Sequence, residues 1–294
     1  MKPGQLEYHA PDTVQDAVDL LASYDGDGMV IAGGQSLMPL LNMRLASPRG
    51  LIDLNGIGEL DYYLVGPGRL IVGALCRHRD IELDPEVRHH WGAVADAVPA
   101  IGHVAIRNRG TVVGSICHAD PAAEWPALTV LLAATITARG PHGSRDVPAE
   151  QFFDSHYVTA LRPAEVVTEV RFALPLERAG SGFVEVARRH GDFALVSVGA
   201  VIELDERGLV ARARLVAGGV APHPVRLTEA EEVLVGRVPD DAAAAMAGDA
   251  GSAAVEPPGD IHAPGAYRRN LVGTLVRRAL SAAVHRISEG SNAR

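Results

Sequence analysis

Two short runs of small residues carry most of the chemistry open to this chain of 294 residues. The first, Ala32-Gly33-Gly34-Gln35-Ser36, follows the apolar Met29-Val30-Ile31 and precedes Leu37. A strand, a tight glycine turn and a helix start set several backbone N–H groups side by side, an arrangement that suits a pyrophosphate. Glycine allows the backbone to approach an anion closely and to adopt positive φ. The same spacing also fits a tight turn that holds nothing. It is not the G-x-G-x-x-G spacing, so a Rossmann dinucleotide site is not indicated.

The second run is Gly110-Thr111-Val112-Val113-Gly114-Ser115-Ile116, where Thr111 and Ser115 offer hydroxyls beside flexible backbone. It leads through Cys117, His118 and Ala119 into Asp120-Pro121. Asp120 as N-cap and Pro121 as first residue predict a helix to residue 133, with Glu124 one turn in. A carboxylate there can accept from ribose hydroxyls, or simply cap the helix and complement its dipole. Two phosphate-type loops on different subdomains imply one extended ligand held between them.

Other chemistry is excluded by what the chain lacks. Lys2 is the only lysine among 27 basic residues, so P-loop and Schiff-base readings fall away. Cys76 and Cys117 cannot make a four-cysteine iron–sulfur or zinc site, and any metal centre in an electron path must lie in another chain. His89-His90 reads as a surface pair, and His103 and His118 are too widely spaced for a metal. No paired acids demand hydrolysis. Arg188-Arg189-His190-Gly191-Asp192 fits an anion site, a proton relay or a solvated turn. Arg268, Arg269, Arg277 and Arg278 fit a solvated helix face or a partner-facing one.

A net charge of −9 argues against nucleic acid as partner. Hydrophobic content of 47 % with 21 % charged residues is that of a folded enzyme. No stretch approaches the roughly 18 apolar residues of a membrane span, and the first residues lack an apolar signal core. The chain is therefore read as cytoplasmic, with no membrane span.

The elements that must position the loops follow from periodicity. Thr13 caps a helix over 14–24, strands cover 29–31 and 51–54, and Ser36 opens a helix to residue 44. Strands at 63–65 and 70–74 precede a long helix over 84–100, a glycine-rich stretch at 101–119, and strands at 135–139 and 166–173. Pro175 and a turn over 177–181 mark a boundary. Strands at 183–188, 194–204 and 210–217 read as an antiparallel meander. Helices follow at 228–235, 240–250 and 267–287, the last with Leu271, Leu275, Ala279 and Leu280 in the core, and residues 251–264 are a linker. The class is α+β. The units are 1–57 and 58–176 for the two loop-bearing subdomains, 177–287 for a C-terminal domain and 288–294 for a frayed tail.

At this point the chain resembles a known family. AGGQSLMPLLNMRL, RNRGTVVGSICHADPAAEWPALTVLLAA and EVARRHGDFALVSVGAVI are similar to the FAD-binding medium subunit of the molybdenum hydroxylases, the xanthine dehydrogenase and carbon monoxide dehydrogenase group. The likeness spans residues 5–283 and includes Asp260 to Arg269. It implies a two-subdomain FAD fold of the vanillyl-alcohol-oxidase (PCMH) type, followed by a small antiparallel sheet with helices. FAD would be the only cofactor on this chain. Molybdopterin would sit in a large partner subunit and [2Fe–2S] in a small one, in a dimer of heterotrimers. Electrons would reach this FAD from the iron–sulfur subunit and leave to an external acceptor.

Carried over by position, the resemblance assigns Ala32, Gly33, Gly34, Gln35, Ser36 and Leu37 to the pyrophosphate, with Gly110, Thr111, Gly114, Ser115 and Ile116. It places His118, Asp120 and Glu124 near the ribose and adenosine, and Ile101 and Val167 against the cofactor. Phe193 would cover one flavin face. No side chain is expected to act as acid, base or nucleophile. Two positions depart from the pattern: Val113 stands where relatives carry the first of two glycines, and Glu185 where some carry a lysine. On this reading Val113→Gly tightens cofactor binding or leaves it unaltered. A self-contained flavin oxidase or reductase, and an assembly subunit without flavin, are the competing readings.

Overall fold

Thr13 Oγ1 accepts the Asp16 amide at 3.1 Å, and the helix it starts, α1 (Val14–Ser23), buries Val14, Ala17, Val18 and Leu21 on one face. The computed structural model that shows this describes residues 2–66, 68–173 and 178–292. Around α1, strands β1 (Glu7–His9), β2 (Gly28–Ile31) and β3 (Gly50–Asp53) form a parallel sheet in the order β1-β3-β2. Helix α2 (Leu37–Met43) follows β2 after the first glycine loop.

The second sheet is antiparallel, with the order β4-β5-β10-β6-β7. Its strands are β4 (Tyr63–Gly66), β5 (Arg69–Gly73), β6 (Thr135–Gly140), β7 (Gly143–Pro148) and β10 (Val166–Ala173); a small hairpin, β8 (Phe153–Ser155) and β9 (Val158–Thr159), lies beside it. Between β5 and β6 run α3 (His78–Leu83), α4 (Pro85–His90), α5 (Gly92–Ala97), α6 (Val104–Arg107), α7 (Val112–His118) and α8 (Glu124–Leu131).

The third sheet is the expected meander with one added strand: β11 (Ala179–Ala187), β12 (Ala194–Leu204), β13 (Val210–Gly218) and β14 (Val225–Arg226). Helices α9 (Thr228–Leu234), α10 (Asp241–Ala253) and α11 (Gly265–Asn292) cover one face. Period-two alternation divides this sheet between two cores. Val196, Val198, Ala200, Ile202, Leu215 and Ala217 face the helices, whereas Phe183, Val201 and Val216 join the core of the first two sheets. The third sheet is therefore a shared wall.

Several expectations change. The helix expected over 84–100 breaks at Trp91, whose ring is fully buried and whose Nε1–H donates to the Gly66 carbonyl at 3.3 Å. The helix expected from Pro121 starts instead at Glu124. Pro126 is the reason: a helix begun at Pro121 would need the N–H that Pro126 lacks, whereas within the first turn that N–H is not required. Strands β1, β7, β8 and β9 were missed because they are short or polar without clean alternation. The boundary at Pro175 lies outside the described residues, and β11 already begins at Ala179 within the expected turn. Helix α11 runs past Ser288 to Asn292, and residues 293–294 of the expected tail lie outside the described set.

A contact of α11 on β11 holds the C-terminal domain together. A Cβ at Gly180 would overlap the Ala283 carbonyl oxygen and lie 2.8 Å from Ile287 Cγ1. Arg286 extends the contact, clamping Asp96 of α5 through two bonds of 2.6 and 2.8 Å and reaching the Ser181 carbonyl at 2.7 Å. Gly180→Ala should force helix from sheet and destabilise the protein by about 1–3 kcal/mol. Urea unfolding checks this through a lower midpoint at unchanged slope.

Candidate functional site

The two small-residue loops touch. A Cβ at Gly33 would overlap the carbonyl oxygen of Arg109 and stand 2.7 Å from Gly110 Cα, so the chains cross backbone to backbone. Gly34 takes the left-handed region at φ 72°. Gln35 Nε2 turns back to the Gly33 carbonyl at 2.9 Å. Among the described residues, the N–H groups of Gly33 through Leu37 have no hydrogen-bond partner within the chain. That row of donors is what an anionic ligand requires.

Asn55 and Arg77 fasten the crossing. Asn55 Nδ2 donates to the Ala32 carbonyl at 2.8 Å, and Arg77 Nη2 donates to Asn55 Oδ1 at 2.7 Å. Arg77 Nη1 then donates to the Arg109 carbonyl at 2.7 Å. One carbonyl on each loop is thus tied through two side chains. Behind Gly110 lies His78, 4 % exposed, which receives Trp125 Nε1–H on Nδ1 at 3.0 Å. Burial, with Arg107 and Arg77 nearby, lowers its pKa to about 3, so the ring is neutral. Arg107 is itself buried, forks onto Glu82 at 2.8 and 3.0 Å and donates to the Ile101 and Gly102 carbonyls.

The second run is the capped start of a helix and not an open loop. Thr111 Oγ1 accepts the Gly114 amide at 3.0 Å and Thr111 is 2 % exposed, so its hydroxyl is occupied by the cap. Gly114 is exposed and Ser115 half-buried, which leaves that face of the turn open. Val113 points the other way, 3 % exposed within the core. The side chain at the departure from the family pattern therefore sits behind the turn.

The remaining expected residues fall into two groups. Asp120 and Phe193 line one cleft of about 600 Å³ between the second sheet's domain and the C-terminal domain, with Tyr157, Arg188, His262 and Arg268. Asp120 Oδ2 accepts from Tyr157 OH at 3.1 Å, and the Tyr157 ring is 5.0 Å from that of His118, whose pKa burial lowers. The turn carrying Phe193 rests on Gly102 and His103, next to Ile101. Ile116 and Val167, by contrast, bury their side chains in the core.

Glu124 is 4 % exposed. Burial, with Glu185 and Asp120 adding to it, raises its pKa to about 8, and burial raises Glu185 to about 7. Arg268 is not on a solvated face: it is 7 % exposed, bonding Asp260 at 2.6 Å and the Leu195 carbonyl at 2.5 Å. Asn55, Arg77, His78 and Trp125 carry no sequence pattern that would have singled them out. Thr111 followed by apolar Val112, Val113 and Ile116 did carry the helix-start signal.

Comparisons with known proteins agree along the chain. The family described as FAD binding domain in molybdopterin dehydrogenase matches residues 4–175, and the CO dehydrogenase flavoprotein C-terminal domain matches residues 181–283. The chain is 35 % identical to the 6-hydroxypseudooxynicotine dehydrogenase complex subunit alpha of Paenarthrobacter nicotinovorans, over 97 % of each chain. A solved chain of carbon monoxide dehydrogenase from Hydrogenophaga pseudoflava superposes with a TM-score of 0.92 at 35 % identity, covering 97 % of this chain and 99 % of that one. For quinoline 2-oxidoreductase from Pseudomonas putida 86 the values are 0.90 and 36 %, with the same coverage.

The placement of Val113 in the core adds a consequence for stability. Val113→Gly removes a core side chain and adds a helical glycine, so it should destabilise the protein by about 2–4 kcal/mol. Denaturant titration of the ligand-free protein measures it, and unchanged stability would contradict the placement.

Proposed function

This chain belongs to the family of FAD-binding medium subunits of the molybdenum hydroxylases, and from that premise we propose that it holds FAD non-covalently across its two crossed loops. The observation that supports this most directly is the row of unpaired N–H groups from Gly33 to Leu37 where the backbone of Gly33 meets Arg109 and Gly110. These groups suit a pyrophosphate, which favours amide donors at a glycine turn, and the exposed Gly114 leaves room beside them for the Ser115 hydroxyl to reach it. The residues present fit the cofactor.

When bound, FAD supplies the electron-accepting and electron-donating chemistry. The chain's own residues bind, orient and shield. Ala32 through Leu37 hold the pyrophosphate through the backbone, and the Gly110–Ile116 segment lies beside it with the Ser115 hydroxyl on its open face, Thr111 acting as the cap that shapes the turn. His118, Asp120 and Glu124 lie toward the ribose and adenosine. Ile101 and Val167 shape the wall behind the cofactor, and Phe193, half exposed in the cleft, covers a ring face. Neutral His78 supports Gly110 from behind without adding charge.

The chain serves as the flavoprotein subunit of a heteromeric oxidoreductase. It takes electrons from a [2Fe–2S] small subunit, while a large molybdopterin subunit oxidises the substrate, and it passes the electrons to an external acceptor. A dimer of heterotrimers in the cytoplasm is the assembly we propose; no described helix is long and apolar enough to cross a membrane. The chain divides into 1–57, 58–176 and 177–287, with 288–294 as a short end. The relatives are named as subunits or chains of dehydrogenases, which favours this reading over a self-contained oxidase or a flavin-free assembly subunit.

Purified protein should carry flavin absorbance that acid releases. Gly33→Ala pushes the loops apart at their crossing and should weaken FAD binding about 10- to 100-fold, the equivalent of about 1–3 kcal/mol. Quenching of flavin fluorescence measures the affinity, with circular dichroism as a check on folding. Unchanged affinity in a folded variant would reject the crossing as the binding site.

A further inference from the structure

Tyr157 stands in the turn between β8 and β9 with its backbone in the left-handed region, at φ 58°. Glycine or asparagine is the ordinary choice there, and a bulky side chain is strained. Among the described residues Tyr157 is the only aromatic one so placed. The fold fastens it at both ends: its N–H donates to the Ala119 carbonyl at 3.2 Å, and its hydroxyl donates to Asp120 Oδ2 at 3.1 Å. Asp120 is itself fixed, 8 % exposed, with Oδ1 accepting the Ala122 amide at 2.9 Å. The His118 ring lies against the Tyr157 ring, 5.0 Å between centroids at a tilt of 42°.

These ties do not bury the residue. Tyr157 is 58 % exposed, and it lines the same cleft of about 600 Å³ as Phe193, which is 57 % exposed. Strain that surrounding bonds hold in a surface turn, on a side chain that fills no core, marks a residue presented to a ligand. Helix α7 joins this corner to the crossed loops, since its first turn carries Gly114 and it ends at His118. At 1.5 Å per residue its 7 residues span about 10 Å, within reach of the ribityl chain that separates a flavin ring from its pyrophosphate.

We propose that Tyr157 is a flavin-contacting residue. Its ring supplies a second aromatic contact, besides Phe193, for the isoalloxazine that enters the cleft, and Ala119 and Asp120 hold it in position for that contact. This deepens the reading of the chain as an FAD subunit and rests on it.

The two aromatic residues differ in chemistry. A phenol in contact with a light-excited flavin gives it one electron and then takes that electron back, so emission is quenched with no net change. The phenyl ring of Phe193 is too hard to oxidise to do this. Among the described residues that line the cleft, Tyr157 is the only tyrosine and there is no tryptophan. Quenching of a flavin held there is therefore a property of Tyr157.

The test uses the full chain loaded with FAD and two variants. Tyr157→Phe keeps the ring and loses only the phenol, so it should still load with FAD while the emission lifetime of the bound flavin lengthens severalfold. Tyr157→Gly suits the left-handed backbone and removes the ring, so it should fold and bind FAD about 10-fold more weakly. Circular dichroism and the melting temperature of the ligand-free protein check the fold of each. An unchanged lifetime in loaded Tyr157→Phe overturns this inference alone, and if Tyr157→Gly still binds more weakly, the ring that Tyr157 touches is the adenine. Unchanged affinity in folded Tyr157→Gly also overturns it. A folded parent that takes up no FAD overturns both the inference and the reading on which it rests.

Discussion

Gly33 can cross Arg109 and Gly110 only because it has no Cβ, and the geometry of the whole candidate site follows from that contact. The crossing joins a loop from the parallel sheet to a turn from the antiparallel one. Asn55, just beyond β3, and Arg77, just beyond β5, tie carbonyls of both loops across it. The two subdomains thereby acquire a fixed relative position at the crossing. Buried groups behind the crossing support it: His78 under Gly110, Trp125 on His78, and Arg107 clamping Glu82 while holding the Ile101 turn. A bed fixed in this way binds without the entropic loss of first bringing its halves together.

The third sheet extends the same logic. Its alternating side chains serve two cores, so the C-terminal domain cannot shift against α8 without opening both. Arg286 with Asp96, Arg214 with Glu150 and Arg226 with Glu150 and Glu231 pin its edges. In a chain with a single lysine nearly all cations are guanidinium groups, which suit forked bonds to carboxylates and carbonyls. Those arginines are engaged at the margins. At the seam between α8 and the sheet, Glu185 Oε2 and Ser197 Oγ are buried without hydrogen-bond partners.

Much of this was legible in the residues. The Thr13 cap, the 3.6-residue spacing in α1, the small-residue loop after β2 and the three-strand meander each follow from local pattern, and the structure places them as expected. The misses share a cause: they depend on partners distant in sequence. Trp91 breaks a helix because a remote pocket buries it, and Arg268 looks like a surface arginine until Asp260 and two carbonyls surround it. Asn55 and Arg77 are unremarkable residue types whose role exists only once two sheets meet. The direction of the Val113 side chain was not legible either, because the core behind α7 sets it.

The central claim is that both loops bind one ligand as a unit. Hydrogen exchange of the protein with and without FAD tests this most directly, because it reads both segments at once and the Gly33–Leu37 amides are unpaired in the chain itself. The account predicts that Gly33 through Leu37 and the Thr111–Ser115 turn slow together when FAD binds, to similar degrees at each FAD concentration. Protection of one segment without the other, or of the cleft alone, would contradict it.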